Sequence, residues 1–328
     1  MHSDIARATV SVLIPAYNAS KTIRATLESV LNQTVQPDEI LVMDDGSTDD
    51  TARIVSSFGA KVTLFRQANR GLSGARNALI AKARSSLIAF LDSDDLLHPR
   101  YLEAQLKAAS LYPSAIAYFA EHLTFIDGGE VHWEDVSASI DLSLELIQPT
   151  DFVKRYATTP GHFFIGFCCV PTRILKRFGE EPFRLRAAED VYFTNRLAFE
   201  GPVVLCSAPL GAYRLREGSI SWNRVMLNGF EVQAFELLEN DRPRLSRKLK
   251  ANFDEAFAVK RRLYAKTLMG VRRKSEARQQ LLYSLRHSLH PSSLIKSMGL
   301  FCITYAPARL QPKWPGAIRP TLDGPRPA

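Results

Sequence analysis

The chain has 328 residues, of which 46% are apolar and 23% are charged, as in a globular protein with a large core and an extension. Its four cysteines show no CxxC pairing, which argues against a zinc site or a disulfide framework and favours a reducing, cytoplasmic location. No apolar run approaches about 20 residues, so we expect neither a signal peptide nor a membrane-spanning helix.

The net charge of +8 is distributed unevenly along the chain. Residues 1–223 carry 22 basic and 26 acidic side chains, whereas residues 224–328 carry 20 basic and 8 acidic ones, so the two segments have net charges of −4 and +12. This asymmetry predicts a polyanionic partner for the C-terminal third, either nucleic acid or an anionic membrane surface. Because the sequence has neither zinc-finger spacing nor an aromatic RNP-like motif, we do not expect nucleic acid.

The first hundred residues alternate short β-rich runs with helical patterns, which is typical of βαβ units around a largely parallel sheet. The predicted elements are a strand at 10–15, a helix at 22–32, a strand at 40–43, a short helix to 54, a strand at 62–65, a helix at 73–84 and a strand at 87–91. Polar motifs lie at the carboxyl ends of these strands, which is the edge where ligands bind in open α/β sheets.

The rest of the chain is predicted to contain mixed elements and then helices. The pattern indicates a helix to 112, strands around 115–125, a turn at 127–129, an apolar strand at 163–169, a helix at 189–199 and helical spacing from 224 to 286. Pro and Gly are frequent after residue 307, which predicts a disordered tail. We therefore expect an α/β domain at 1–222, a basic helical extension at 223–306 and a disordered tail at 307–328.

Four motifs in a fixed order carry the functional information. They are Pro15-Ala16-Tyr17-Asn18, Asp44-Asp45-Gly46-Ser47, Asn69-Arg70-Gly71 followed by Ala75-Arg76-Asn77, and Asp92-Ser93-Asp94-Asp95. At strand ends and in this order they resemble glycosyltransferase family 2, over residues 10–221. The resemblance implies a GT-A nucleotide-diphospho-sugar transferase fold, with a mixed, mostly parallel sheet flanked by helices. It also implies an inverting enzyme of the non-processive bacterial type, because the Gln-x-x-Arg-Trp motif and transmembrane helices of processive synthases are missing from the sequence.

The same resemblance implies a set of site residues. Asp45 would accept hydrogen bonds from the nucleobase, Arg76 would lie near the base or the diphosphate, and Asp92 and Asp94 would be the metal-binding pair. The residues expected to bind the nucleotide are Pro15, Ala16, Tyr17, Asn18, Asp45, Arg76, Asp92, Ser93, Arg214 and Arg216. Arg76 has the alternative of a surface arginine. Arg214 and Arg216 either stabilise the departing phosphate or form structural ion pairs.

The acidic segment at 92–95 favours a cation on physical grounds as well. Three carboxylates in four residues repel each other unless a cation lies among them, and a nucleotide diphosphate is best neutralised by a hard divalent ion such as Mn²⁺ or Mg²⁺. The alternative is a solvated acidic turn before the helix near Arg100. The additional carboxylate of Asp95 leaves open which pair holds the ion.

Inverting transfer also requires a base, because the acceptor hydroxyl loses its proton as it attacks the anomeric carbon. Glu189-Asp190 matches the family's Glu-Asp element at the start of a helix, so the resemblance implies Asp190 as the base and Glu189 as the neighbour that orients either this base or the acceptor. The alternative is an acidic pair that only stabilises a helix N-terminus.

These interpretations predict a hexosyltransferase that moves a sugar, most simply from a UDP-sugar, to an acceptor hydroxyl in cell-surface polysaccharide or glycolipid assembly. Basic helices are followed by an apolar patch of Leu294, Ile295, Met298, Leu300, Phe301 and Ile303. This patch predicts contact with the inner face of the membrane and a lipid-linked acceptor, or else a helical appendage packed on the first domain. The alternative function is a non-catalytic nucleotide-sugar-binding or scaffold protein with a membrane- or nucleic-acid-binding basic tail. A dinucleotide enzyme is disfavoured because no Gly-x-Gly-x-x-Gly loop follows the first strand.

Overall fold

The structure is a computed structural model that describes residues 8–133, 141–158, 163–185, 187–216, 223–288 and 290–305. The described residues fall into two compact units. The sheet unit lies within residues 1–148 and 162–215, and the helical unit within 149–161 and 216–328. The tail predicted at 307–328 lies outside the described residues.

A nine-stranded sheet forms the centre of the sheet unit in the described part of the chain. Its strands are β1 Val10–Ala16, β2 Glu39–Asp44, β3 Thr63–Arg66, β4 Leu87–Phe90, β5 Leu96–Leu97, β6 Ala117–Ile126, β7 Leu144–Ile147, β8 Cys168–Pro171 and β9 Val203–Leu215. The order is β3-β2-β1-β4-β8-β6-β9-β5, and β7 pairs with β9. The strands β1 to β4 are parallel, whereas β8 is antiparallel to both of its neighbours, so the sheet is mixed.

The helices are numbered in chain order through both units. They are α1 Ile23–Leu31, α2 Thr51–Ser56, α3 Gly71–Lys82, α4 Tyr101–Leu111, α5 Pro149–Thr158, α6 Thr172–Arg177, α7 Glu189–Glu200, α8 Arg224–Leu238, α9 Arg247–Gly270, α10 Lys274–His287 and α11 Pro291–Ile303. The helices α5 and α8 to α11 lie in the helical unit, and the others lie in the sheet unit. Among the described helices, none combines the length and the hydropathy needed to cross a bilayer.

The strand patterns explain the central position of β1. All seven residues of β1 are buried, as expected for a parallel strand covered on both faces. In α1, Ile23, Leu27 and Val30 recur at helical spacing and form the buried face. The strands and helices predicted in the first hundred residues are therefore present, with ends that differ from the prediction by one or two residues in most cases.

One predicted strand is wrong over most of its length. The apolar run at 163–169 forms a single 3-10 turn at Ile165–Phe167 before β8 begins at Cys168. A Cβ atom at Gly166 would lie 2.8 Å from the Phe164 ring, so the backbone and this ring pack closely at the turn. Apolar composition alone did not distinguish this tightly packed turn from a strand.

The helical unit includes α5 in addition to the basic C-terminal helices. The Asn252 side chain donates a hydrogen bond of 2.7 Å to the carbonyl of Thr150, and the buried Phe152 and Val153 give α5 an apolar face. In sequence, α5 precedes the other helices of the helical unit by many residues. The expected domain bounds at 1–222 and 223–306 stay predictions. The predicted C-terminal helical extension is confirmed.

Candidate active site

The segments that follow β1, β2 and β4 emerge at one edge of the sheet. Ala16 at the end of β1 pairs in register with Asp44 at the end of β2, and the Asp45 amide donates to the Ala16 carbonyl at 2.8 Å. The Leu91 amide, just after β4, donates to the carbonyl of Leu13 at 3.1 Å. Because these strands are parallel neighbours, the three polar motifs that follow them lie side by side.

The loop after β1 is fixed by the turn after β2. Asn18 has a left-handed backbone conformation with φ of 49°. Its amide donates to Ser47 Oγ at 2.9 Å, and its Oδ1 accepts from the Thr48 amide at 2.9 Å. Tyr17 is 51% exposed, whereas Pro15 and Ala16 are buried in the strand. The loop therefore presents an aromatic ring to solvent from a rigid backbone.

The two aspartates after β2 have different surroundings, although both are buried. The Asp44 carboxylate accepts from the Ser47 amide at 2.8 Å and from Arg66 Nε of β3 at 3.0 Å. Both of its oxygens are therefore used in contacts within the protein. Asp45 Oδ1 accepts from Gln67 Nε2 at 2.7 Å and from the Arg70 amide at 2.9 Å. Its Oδ2 forms no hydrogen bond with the described residues and can accept one from a ligand.

The acidic loop, residues 92–95, combines half-buried and buried carboxylates. Asp92 and Asp94 are half-buried, whereas Asp95 is fully buried and accepts from the Arg214 amide at 2.8 Å. Burial, reinforced by the charges of Asp94 and Asp92, raises the pKa of Asp95 well above its usual value. The loop is also fixed at Ser93, whose carbonyl accepts from Thr22 Oγ1 at 2.9 Å.

Arg76 joins the acidic loop to the start of α7. Its side chain is 1% exposed, and it donates from Nη2 to Asp92 Oδ1 and from Nη1 to Glu189 Oε1, each at 2.6 Å. Burial alone would lower the pKa of Arg76, but the ion pairs with these carboxylates outweigh it, so the pKa lies above its usual value. The guanidinium also lies 5.3 Å from the centroid of the Phe183 ring. The alternative of a surface arginine is therefore wrong.

The acidic pair of α7 divides into a buried and a more exposed member. Glu189 is buried, and this burial raises its pKa to about 7 against the opposing effect of Arg76, with a further contribution from Asp190. Asp190 is half-buried, and its Oδ1 accepts from the Val191 amide at 2.8 Å. Ala188, immediately before the helix, has φ of 53°, which turns the chain sharply into α7.

Arg214 supports the acidic loop from β9. Its Nε donates to the Asp94 carbonyl at 2.7 Å, its Nη1 to Asp127 Oδ1 at 3.2 Å, and its guanidinium lies 4.4 Å from the centroid of the Phe125 ring. These contacts correspond to the structural alternative considered for this residue. Arg216 follows the end of β9 and is exposed.

Comparison with known proteins gives the family. A family model described as glycosyl transferase family 2 matches residues 11–177, just over half of the chain. The chain belongs to glycosyltransferase family 2. The matched residues include the four motifs at the sheet edge and end before α7, so the Glu189-Asp190 pair lies outside the match.

Individual relatives of this family 2 chain are similar over part of their length. EpsH of Bacillus subtilis (strain 168) is 41% identical over 234 residues, which are 64% of this chain and 62% of EpsH. Glycosyltransferase GlyA of Streptococcus pneumoniae is 27% identical over 227 residues, 65% of this chain and 31% of GlyA. Chondroitin synthase of Escherichia coli is 45% identical over 97 residues, 29% of this chain and 14% of the synthase. The chain thus spans less than two thirds of each of these relatives.

A solved structure shows the fold of the family 2 chain. The crystal structure of residues 1–349 of Staphylococcus aureus TarS in complex with UDP-GlcNAc superposes with a TM-score of 0.66 and 19% identity, covering 90% of both chains. The complex of the same TarS fragment with UDP gives a TM-score of 0.52 at 18% identity. The predicted GT-A fold is confirmed.

The family's Asp-x-Asp position offers two carboxylates to a divalent cation. Asp92 and Asp94 lie on one loop, and the Asp92 side chain is 21% exposed. In the part of the chain that the structure describes, no three His, Cys, Asp or Glu side chains converge into a metal site formed by protein alone. Mg²⁺ and Mn²⁺ accept one or two carboxylates together with phosphate oxygens of a substrate. The two carboxylates therefore fit a cation that is shared with a nucleotide diphosphate.

Sequence reasoning missed how the segment before α7 is attached to α3. The Asn77 side chain donates to the Phe183 carbonyl at 2.8 Å and accepts from the Phe183 amide at 3.0 Å, and Ser73 Oγ donates to the carbonyl of Leu185. Together with Arg76, these contacts place the Glu189-Asp190 pair beside the acidic loop. The sequence signal was the pair of polar residues at 76 and 77 in an otherwise small and apolar helix.

Proposed function

We propose that the chain transfers a sugar from a nucleoside diphosphate sugar to an acceptor hydroxyl with inversion, one sugar at a time. The observation that carries this proposal is the Arg76 bridge. Arg76 contacts Asp92 and Glu189 at 2.6 Å each. The candidate metal-binding loop and the candidate base helix are therefore both ion-paired with the same buried guanidinium. A site for an anionic leaving group and a carboxylate for proton removal thus lie together, as inverting transfer requires.

The donor is assigned to the edge formed by the first two motifs. The exposed ring of Tyr17 provides a stacking surface, and the second oxygen of Asp45 provides an acceptor for an N–H group of a base. Pro15, Ala16 and Asn18 form the backbone wall between them. The TarS structure is described as a complex with UDP-GlcNAc, which supports a UDP-sugar as the first donor to examine here.

The metal is assigned to Asp92 and Asp94, with Mn²⁺ or Mg²⁺ as the ion. When bound, such an ion would neutralise the negative charge of the diphosphate leaving group. Asp95 is assigned to the support of this loop instead, because it is fully buried and its Oδ1 accepts the Arg214 amide. Arg214 is assigned to positioning this loop, and a contact of Arg214 or Arg216 with the departing phosphate stays a prediction, as do the nucleotide contacts of Ser93 and Arg76.

The base is assigned to Asp190. Glu189 is buried and its carboxylate binds Arg76, so it is committed to holding α7, whereas Asp190 is more exposed at the first turn of the same helix. During transfer the acceptor oxygen would form a bond to the anomeric carbon, its proton would move to Asp190, and the bond to the diphosphate oxygen would break. Glu189 would keep Asp190 in place.

The biological setting is proposed at a coarser level. Transfer of a hexose in the assembly of a cell-surface polysaccharide or glycolipid, with a lipid-linked acceptor at the inner face of the membrane, agrees with the basic C-terminal third. A non-catalytic nucleotide-sugar-binding protein is the second candidate. It would keep the donor site but would not need an aspartate at position 190.

An Asp190→Asn variant separates these candidates. We expect it to bind a UDP-sugar with Mn²⁺ within about twofold of the wild type, and to lose transfer by about 10²–10⁴-fold because general base catalysis contributes that much. Transfer is measured as UDP release that depends on an added acceptor or acceptor extract. Glu200→Gln, at the other end of α7 and paired with Arg177, is the matched control and should keep its activity. Unchanged turnover of Asp190→Asn would show that another residue is the base. A wild-type protein that binds the donor but shows no acceptor-dependent release of UDP would favour the non-catalytic candidate.

A further inference from the structure

The last described helix, α11, buries two serines and packs Leu300 and Phe301 against the helical core, but it leaves other apolar side chains exposed to solvent. Only Ser293 and Ser297 are buried among its 13 residues. Leu294, Ile295 and Met298 are 39%, 68% and 53% exposed. A helix that serves only to complete a core has the reverse arrangement, with its apolar face inside.

The buried serines explain how α11 is held in this orientation. Arg262 of α9, itself buried, donates from Nη1 to Ser293 Oγ at 2.5 Å and to Ser297 Oγ at 3.2 Å. Ser284 Oγ of α10 lies 2.9 Å from Ser297 Oγ and also donates to the Ala258 carbonyl at 3.0 Å. A buried guanidinium without these acceptors would be costly, so this polar layer fixes which face of α11 points outward.

The outward residues form a continuous stripe. Leu294, Met298 and Cys302 are spaced by four residues, and Ile295 lies beside them, so the four side chains fall within an arc of about 100° on the helix surface. We call these four residues the α11 stripe. Cys302 is exposed as well, and so is Tyr305 just beyond the helix, which is 62% exposed with the Arg278 guanidinium 3.9 Å from its ring centroid.

The charge of the surrounding segment identifies the partner chemistry. Residues 224–305 carry 16 basic and 7 acidic side chains, a net charge of 16 − 7 = +9, and residues 306–328 add four basic and one acidic side chain. A second copy of the chain would bring two surfaces of the same charge together, which is unfavourable. A bilayer with anionic headgroups offers both an apolar layer and the opposite charge.

We propose that the α11 stripe is a docking surface for an anionic phospholipid bilayer. A helix of 13 residues is shorter than the about 20 needed to span the hydrocarbon core, so it would lie along the interface with the stripe directed into the lipid. The inference goes beyond sugar transfer, and it is tested without donor or acceptor, so either proposal can fail without the other.

The first test is co-sedimentation of the full chain with vesicles. We expect the wild type to bind vesicles of phosphatidylcholine with 30% phosphatidylglycerol more strongly than vesicles of pure phosphatidylcholine. The double variant Ile295→Gln/Met298→Gln should have a partition coefficient at least about tenfold lower than that of the wild type. Leu111→Gln, a residue of α4 that is 60% exposed, is the matched control and should bind like the wild type. No binding by the wild type, or equal binding by the double variant, would overturn the proposal.

The second test uses Cys302 as a reporter, because Cys168, Cys169 and Cys206 are buried and react poorly with added probes. A polarity-sensitive fluorophore attached to Cys302 should shift its emission to shorter wavelength on anionic vesicles. Binding without this shift would mean that another surface contacts the lipid, and the proposal would be wrong. Light scattering of the free protein tests a second copy as the partner. If the wild type self-associates, the double variant does not, and neither binds vesicles, the α11 stripe is a contact between two copies and the proposal is wrong.

Discussion

At the scale of single residues, the candidate site depends on how one guanidinium balances several carboxylates. Arg76 is buried and contacts Asp92 and Glu189, while Asp190 lies next in sequence to Glu189. Burial, reinforced by the negative charges of Asp190 and Asp92, raises the pKa of Glu189 to about 7 although Arg76 opposes this shift. The planar fork of arginine can bind two carboxylates at once, which the ammonium group of lysine cannot do with the same geometry.

The first prediction concerns the removal of the Arg76 guanidinium. Arg76→Met should lower the free energy of unfolding by about 3–5 kcal/mol, because it leaves buried carboxylates without their partner. Arg53→Met is the control, since Arg53 pairs with Asp50 on the surface and its loss should cost less than about 1 kcal/mol. Urea denaturation measures both values. Equal losses for the two variants would show that the Arg76 bridge does not hold the site together.

The second prediction concerns pH. The pKa of Glu189 rises from 4.5 to about 7 on folding, so between these values the folded state binds more protons than the unfolded state. The contribution of Glu189 to stability is therefore present below about pH 4.5 and is lost as the pH rises through about 7, by up to about 3 kcal/mol. Gln cannot titrate, so the stability of the wild type relative to Glu189→Gln should fall between pH 5 and pH 8. A constant difference, or one of opposite sign, would contradict the raised pKa.

At the scale of elements, the strand ends place the motifs and the turns fix them. The sequence predicted β1 to β4 and the motifs after them, because alternating strand and helix patterns and strand-end residues are local signals. The sequence assigned the Glu-Asp pair and the acidic loop to one site by resemblance, but it did not predict that Arg76 joins them, since the contact between Arg76 and Glu189 links residues 113 positions apart. It also mistook the 3-10 turn at 165–167 for part of a strand, because an apolar composition alone does not distinguish a buried turn from a buried strand.

The third prediction tests the turn after β2. Gly46 has φ of 79°, and a Cβ atom there would lie 3.0 Å from the amide nitrogen of Asn69. Gly46→Ala should therefore destabilise the protein by about 1–3 kcal/mol and weaken nucleotide binding by displacing Asp45. Gly59→Ala is the control, since Gly59 has φ of 60° but open space around it. Both variants should be less stable than the wild type, but only Gly46→Ala should bind the nucleotide more weakly in calorimetry. Equal nucleotide affinities of the two variants would show that the turn does not position Asp45.

At the scale of the whole molecule, the sheet unit contains the candidate active site and the helical unit contains the excess of positive charge. The sequence predicted a sheet part and a basic helical part from periodicity and charge. It did not predict that α5 packs with the C-terminal helices, because the contact of Asn252 with Thr150 joins residues about a hundred positions apart. The sequence predicted membrane contact for Leu294, Ile295 and Met298, but it did not predict the contacts of the buried Arg262 with Ser293 and Ser297 that fix the orientation of α11.

The central claim is that the acidic loop binds a divalent ion together with a nucleotide diphosphate, and calorimetry of UDP binding with and without Mn²⁺ tests it most directly. We predict that Mn²⁺ increases the affinity of the wild type at least tenfold, that Asp94→Ala removes this increase, and that Glu103→Ala, which removes a surface acid paired with Arg100, retains it. An Asp94→Ala variant that binds UDP and Mn²⁺ as tightly as the wild type would contradict the claim.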